Sequence, residues 1–175
     1  VDDLREVARI GHIDEPGPFG SDGAVADLYL EAPEALALAP DGSLYVADTG
    51  NHRVLRIGVP TSATSSVSRV LGDGSASSGG NGAPSRHFPV KAPRGLTLDS
   101  FGNLFVTATD AVRVVSVGAD GIPDGDDAVH TIYGLPRDRF PMSVTRCLTG
   151  IHAATDSRVY VLDSCLGFML ALERR

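Results

Sequence analysis

Leu36–Ile57 reads LALAPDGSLYVADTGNHRVLRI, and this stretch decides the fold class. It contains three short apolar runs, LALA, LYVA and VLRI, separated by the turn-forming strings APDG and DTGNH. Proline presets φ, aspartate bonds to its own backbone and glycine accepts positive φ, so Pro40-Asp41-Gly42 is chemistry for a tight turn. Leu44, Tyr45 and Val46, then Val54, Leu55 and Ile57, are the side chains that suit a pleated, half-buried surface. Each run is too short for a capped helix. The stretch predicts a three-stranded antiparallel meander.

The pattern recurs. A shift of sixty positions lays Ala32-Pro33-Glu34-Ala35-Leu36 on Ala92-Pro93-Arg94-Gly95-Leu96, and Leu44-Tyr45-Val46 on Leu104-Phe105-Val106. It also lays Arg53-Val54 on Arg113-Val114 without a gap. A further shift of fifty-five brings Gly95-Leu96 to Gly150-Ile151 and Leu104-Phe105-Val106 to Val159-Tyr160-Val161. Repetition at a near-constant period means that each unit buries its apolar face on the next. The run Tyr45-Val46-Ala47-Asp48-Thr49-Gly50-Asn51-His52-Arg53-Val54 resembles the signature of the NHL repeat, in which each repeat forms one four-stranded blade of a β-propeller. The resemblance implies an all-β chain of three four-stranded antiparallel blades.

Composition agrees: 20 glycines and 11 prolines punctuate short apolar runs in 175 residues. With 15 Lys and Arg against 22 Asp and Glu, the net charge is −7. That balance argues against a phosphate-binding surface, which needs clustered cations, so no nucleic-acid partner is expected. Some NHL propellers bind RNA through a basic face, but this sequence has no matching cluster. The chain also lacks an apolar run of membrane-spanning length. It opens on Val1 rather than Met, which is read as a processed or excised piece.

One propeller domain or part-domain is expected over 1–175, with blades at approximately 35–72, 94–134 and 149–175. Arg5–Ile10 alternates like Val67–Leu71 and Val129–Tyr133. These three segments are predicted to be outermost strands, the first of them within 5–11. The chain thus begins on an outer strand and closes on Gly167–Arg174, a third strand with no fourth after it. Three blades are too few to close a ring, because propellers use four to eight. The expectation is half of a six-bladed ring, completed by a second copy that exchanges its first strand or by further chain.

Long connections, Gly11–Pro33 and Gly72–Pro93, join each outer strand to the next innermost one. In a propeller these connections share a face with the turns between the second and third strands. That places His52, Arg86, His87, Phe88, Arg137, Arg139 and Phe140 around one mouth of the channel as candidate ligand-binding residues. Loops on a rigid scaffold commonly carry binding. The alternative is that they plug the channel and pack on neighbouring blades. The family resemblance assigns Asp48, Asn51 and Arg53, with Arg113 and Asp163 in the later copies, to fixing the turn and bridging blades.

By the same topology Cys147 precedes the first strand of the third blade and Cys165 follows its second strand. A disulfide is sterically reasonable there, with two reduced thiols as the alternative. Asp120, Asp124, Asp126 and Asp127 crowd one turn. They form a weak calcium candidate beside the simpler reading of a solvated acidic turn, and no other cofactor is expected. The five histidines, at 12, 52, 87, 130 and 152, are scattered. The expected function is therefore a non-catalytic interaction module, extracellular or periplasmic, that presents a loop face to a protein, peptide or glycan. The alternative is a metal-dependent propeller lyase or hydrolase, lactonase-like, with its site at the central channel.

Overall fold

The computed structural model describes residues 22–60, 64–79, 81–82, 84–109, 111–134, 147–154 and 157–173. The 5–11 strand predicted from the sequence, and Arg137, Arg139 and Phe140, lie outside the described residues.

Among the described residues, twelve strands form three consecutive antiparallel sheets. The first holds β1 (Asp22–Ala24), β2 (Ala35–Leu38), β3 (Leu44–Asp48), β4 (Arg53–Ile57) and β5 (Ser66–Leu71), in the order β1-β5-β4-β3-β2. The second runs β6 (Gly95–Leu98), β7 (Leu104–Thr107), β8 (Ala111–Val115) and β9 (Val129–Gly134) in chain order. The third holds β10 (Leu148–Ala153), β11 (Arg158–Asp163) and β12 (Phe168–Glu173). This is the stacked-blade arrangement of a β-propeller.

Alternation along each strand divides its residues between two faces, and stacking buries both. Tyr45, Ala47, Val54 and Leu71 of the first sheet meet Leu96, Leu104, Val106 and Val115 of the second in one apolar cluster. Phe105, Val112 and Val114 on the other side of the second sheet meet Leu148, Val159 and Val161 of the third. The opposite face of the first sheet packs under Val25 and Leu28. Each fully buried Val or Leu contributes about 1.5–3 kcal/mol to holding the stack together.

The repeat reaches further back than the meander. A short 3-10 turn at Val25–Asp27 returns sixty residues later at Ser85–His87. Ala32 and Ala92 both adopt positive φ, 45° and 46°. Each connection runs beside the outer strand of the blade it is about to begin. In the first blade it becomes β1, paired with β5, and in the second it leaves a bridge from Pro84 to Ala128. The sequence predicts loop there, and β1 makes the first sheet five-stranded instead of four-stranded. Asp22-Gly23-Ala24 has no strand signature. It is extended because the edge of β5 offers it a ladder.

A second correction concerns β8. Asp48 pairs with Arg53, and Val46 with Leu55, across the first hairpin. In the second blade Arg113 pairs with Val106, the counterpart of Val46. Strand β8 is therefore slid by two residues, and Arg113 takes the place of Leu55 rather than of Arg53. The cause is a tighter turn, closed by the Ala108 N–H donating to the Ala111 carbonyl at 2.8 Å.

Candidate functional site

The turn between β3 and β4 is a closed polar junction. Asp48 is fully buried and accepts three hydrogen bonds: from the Glu31 N–H at 2.7 Å, from Asn51 Nδ2 at 2.9 Å and from Arg53 Nε at 2.7 Å. Arg53 also donates through Nη2 to the Tyr29 carbonyl at 3.0 Å. The ion pair thus ties the turn to the connection arriving before β2. Gly50 must be glycine, because a Cβ there would meet Glu31 Cγ at 2.6 Å. Thr49 Oγ1 donates to the Pro93 carbonyl at 2.6 Å and His52 Nδ1 accepts from the Ala92 N–H at 3.1 Å, so the same turn grips the second blade.

The other two blades solve this junction differently. In the second, the counterparts of Asp48 and Arg53 are Ala108 and Ala111, both buried. In the third, Asp163 Oδ1 accepts the N–H groups of Cys147 at 3.3 Å, Cys165 at 3.2 Å and Leu166 at 3.1 Å. The register partner of Asp163 is Phe168, so no arginine stands where Arg53 would. A disulfide joins Cys147 to Cys165, Cα to Cα 5.2 Å, and clasps the turn to the start of β10.

Of the predicted mouth residues, the described ones, His52, Arg86, His87 and Phe88, do not converge on one point. Only His52 of the described candidates belongs to a turn on the expected face. Phe88 is buried between the first two blades, with the Arg113 guanidinium 5.0 Å above its ring. Arg113 also donates through Nη1 to Thr131 Oγ1. Arg86 pairs with Asp126 at 3.1 Å in the loop between β8 and β9, and the Arg86 N–H donates to the Gly125 carbonyl at 3.0 Å. His87 lies in the same 3-10 turn, so 85–87 sits with the loop of the opposite face.

That acidic loop is occupied with its own backbone. Asp124 Oδ1 accepts from the Asp126 N–H at 2.8 Å, Asp127 Oδ2 from the Asp124 N–H at 2.9 Å and Asp120 Oδ1 from the Ile122 N–H at 3.1 Å. Burial, helped by the charges of Asp124 and Asp120, pushes the Asp127 carboxyl above its ordinary range. Among the described residues no three His, Cys, Asp or Glu side chains converge as a metal site. The loop instead covers the outer cleft between the first two blades, where Tyr45 Oη donates to the Pro123 carbonyl at 3.1 Å.

Among the described residues no loop covers the matching cleft between the second and third blades, and the counterpart of the covering loop would follow β12, after the last described residue. Sequence reasoning missed this cleft, because it needs two blades side by side. Its volume is about 490 Å³, walled by Phe101, Phe105, Val114, Ile132, Val159 and Leu172. Arg158 and Glu173 stand at its rim, Nε to Oε1 3.8 Å. By register, Phe105 and Val114 replace Tyr45 and Arg56 of the covered cleft, and the sixty-residue repeat puts Phe101 at Asp41. Polar groups that receive a loop are thus exchanged for an apolar wall, and Phe101 is 67% exposed.

Sheet stacking, blade-to-blade turns and the repeated connection define a β-propeller architecture. The NHL repeat family model matches residues 30–57, so the chain carries an NHL repeat there. Teneurin-1 of Homo sapiens and of Mus musculus are each 52% identical over 40 residues, 22% of this chain and 2% of theirs. Among solved structures, a structural genomics protein from Bacteroides thetaiotaomicron superposes with TM-score 0.62 at 17% identity, over 81% of this chain and 36% of that one. A gluconolactonase from Xanthomonas campestris gives TM-score 0.53 at 18% identity, over 83% and 39%. A luciferin-regenerating enzyme gives 0.50 at 18%, over 81% and 40%. The chain therefore spans well under half of each of these proteins, and at such identities the likeness is one of fold.

Proposed function

We propose that this chain is one NHL propeller domain or part-domain that serves as a non-catalytic interaction module for a protein or peptide. The open cleft between the second and third blades carries this reading: an apolar wall with a charged rim is the composition of a recognition groove. This reading places the contact face opposite the mouth expected from the sequence, supported by the burial of Phe88 and the pairing of Arg86 with Asp126. No cofactor is required. The Cys147–Cys165 bond supports an oxidising compartment, extracellular or periplasmic.

The test is a heptapeptide display selection on the immobilised chain, counter-screened with Phe101→Asp. Peptides that bind the parent and lose affinity for the variant support the reading. Absence of enrichment, or peptides indifferent to the variant, refutes it.

A lactonase-like reading stands second, because His152 is exposed on β10, an innermost strand. Against it, the other innermost strands, β2 (Ala35–Leu38) and β6 (Gly95–Leu98), carry only aliphatic residues, glycine or threonine. Gluconolactone hydrolysis that requires added divalent metal and is abolished by His152→Ala would reverse the ranking.

A further inference from the structure

The connection between the first two blades, 72–93, begins and ends against one residue. Gly72 opens it at φ 100°, where an added Cβ would run into the His52 carbonyl and the Arg53 backbone. At its far end the Ala92 N–H donates to His52 Nδ1 at 3.1 Å. Between these points the connection feeds Phe88 and Val90 into the junction, 2% and 0% exposed. His52 therefore meets both ends of the strap that fills the space between the blades.

Both residues of this bond adopt left-handed backbone, His52 at φ 53° and Ala92 at φ 46°. Few side chains other than glycine, asparagine and aspartate do so, and such corners persist where surrounding bonds fix them. The His52 N–H donates to the Thr49 carbonyl at 3.2 Å, and Thr49 Oγ1 donates to the Pro93 carbonyl at 2.6 Å. Neither of those bonds involves a titratable group. The bond to Ala92 does, because a ring nitrogen accepts only while it lacks a proton. A neutral imidazole with its hydrogen on Nε2 receives the Ala92 N–H. An imidazolium turns a second N–H against it and leaves both donors unmatched. The ring is half-buried, so a proton from water can reach it.

The charged groups on the segments that meet His52 are Asp48 and Arg53 of its own turn, Asp73 beyond Gly72, Lys91 and Arg94 around Ala92, and Glu31 against Gly50. Asp48 and Arg53 bind each other, and Arg94 lies 3.6 Å from Glu34. Exposed carboxylates, lysine and arginine keep their charge between about pH 5 and 7.5, whereas histidine changes charge there. We propose that His52 is a pH-sensitive clasp: neutral, it holds the strap at Ala92, and protonated, it releases that end and loosens the junction between the first two blades. The clasped junction excludes a proton that the unfolded chain accepts, so its contribution is present at neutral pH and is lost on acidification. The device is independent of the groove assigned above, which lies between the second and third blades.

The experiment compares the parent with His52→Asn and His52→Ala by urea unfolding from pH 7.5 to pH 5, alongside hydrogen exchange at the Ala92 amide. Asparagine tolerates left-handed backbone, and its Oδ1 offers an acceptor near the Nδ1 position with no proton to gain. His52→Asn should match the parent at pH 7.5. By pH 5 the parent's unfolding constant should have risen on the order of 10-fold more than that variant's. The Ala92 amide should lose protection by a similar factor in the parent alone. His52→Ala, without an acceptor, should be the least stable of the three at pH 7.5 and share the shallower slope of His52→Asn. His87, His130 and His152 are present in all three chains, so their titration cancels in the comparison. Parallel pH profiles for the parent and His52→Asn, or an Ala92 amide equally protected at both pH values, would overturn the proposal. Imidazole nitrogen NMR of the unsubstituted chain needs no variant to fold: at pH 7.5 it should show His52 Nδ1 without hydrogen, and an Nδ1–H form would equally overturn it.

Discussion

Replacing Arg53 with alanine should destabilise the chain far more than removing an exposed arginine. Asp48 is fully buried and would keep only the Glu31 N–H and Asn51 Nδ2 as donors. A surface pair is worth at most ~1 kcal/mol, whereas stripping one partner from a buried pair costs about 3–5 kcal/mol. The penalty is that of an uncompensated charge, not the net worth of the bond. Asp48→Ala should cost a similar amount, because it strands the guanidinium. The double variant recreates what the second blade already uses, Ala108 and Ala111, both buried. It should therefore fall short of the summed single losses by roughly 2–3 kcal/mol, the upper range of coupling for groups in contact. The assay is urea unfolding at pH 7 followed by circular dichroism, with tyrosine emission as a second probe, since the chain has 4 tyrosines and no tryptophan. A loss below ~1 kcal/mol for Arg53→Ala, or additivity within ~0.5 kcal/mol, would refute the argument that the pair acts as a buried unit.

Three further outcomes are expected. Burial pushes the Tyr45 hydroxyl up to about 12 from 10.0. The folded state holds that proton more tightly than the unfolded one, so the contribution is complete below pH 10 and is lost as pH rises toward 12. Urea midpoints of Tyr45→Phe should accordingly decline less than the parent's between pH 10 and 11.5, and parallel curves would reject the assignment. Gly95→Ala should cost about 1–3 kcal/mol by overpacking, because a Cβ there meets the Thr149 carbonyl and Thr107 Oγ1 where the inner strands converge. Wild-type thermal stability in that variant would mean that the second and third blades can part at no cost. Cys147→Ala/Cys165→Ala removes a bond across 18 positions and should lower the unfolding free energy by about 3 kcal/mol. A reductant should then lower the parent's melting temperature and leave that of the double variant unmoved.

The sequence by itself determined the strands of the three meanders, their order and which of their residues share a face. Alternation of apolar and polar residues carries that information locally, and the sixty-residue repeat carries it from blade to blade. Ala32-Pro33 and Ala92-Pro93 were legible as equivalent positions, and both prove to hold the same positive-φ corner. Asp48, Asn51 and Arg53 were assigned to the turn by the family resemblance, and their side chains bond within a few residues of one another.

Tertiary structure decided the rest. A strand that slips by one residue turns its apolar set outward, but a slip of two leaves the alternation unchanged. The displacement of β8, which moves Arg113 from the turn to the ring of Phe88, was therefore invisible in the pattern. Asp22–Ala24 became a strand only because β5 presented an edge. Arg86 found Asp126 forty residues further along the chain, across a connection with no local periodicity to direct it. The groove behind Phe101 forms only where two blades lie side by side. Burial is set by neighbours distant in the chain, and a strand's own residues specify only which side will need one.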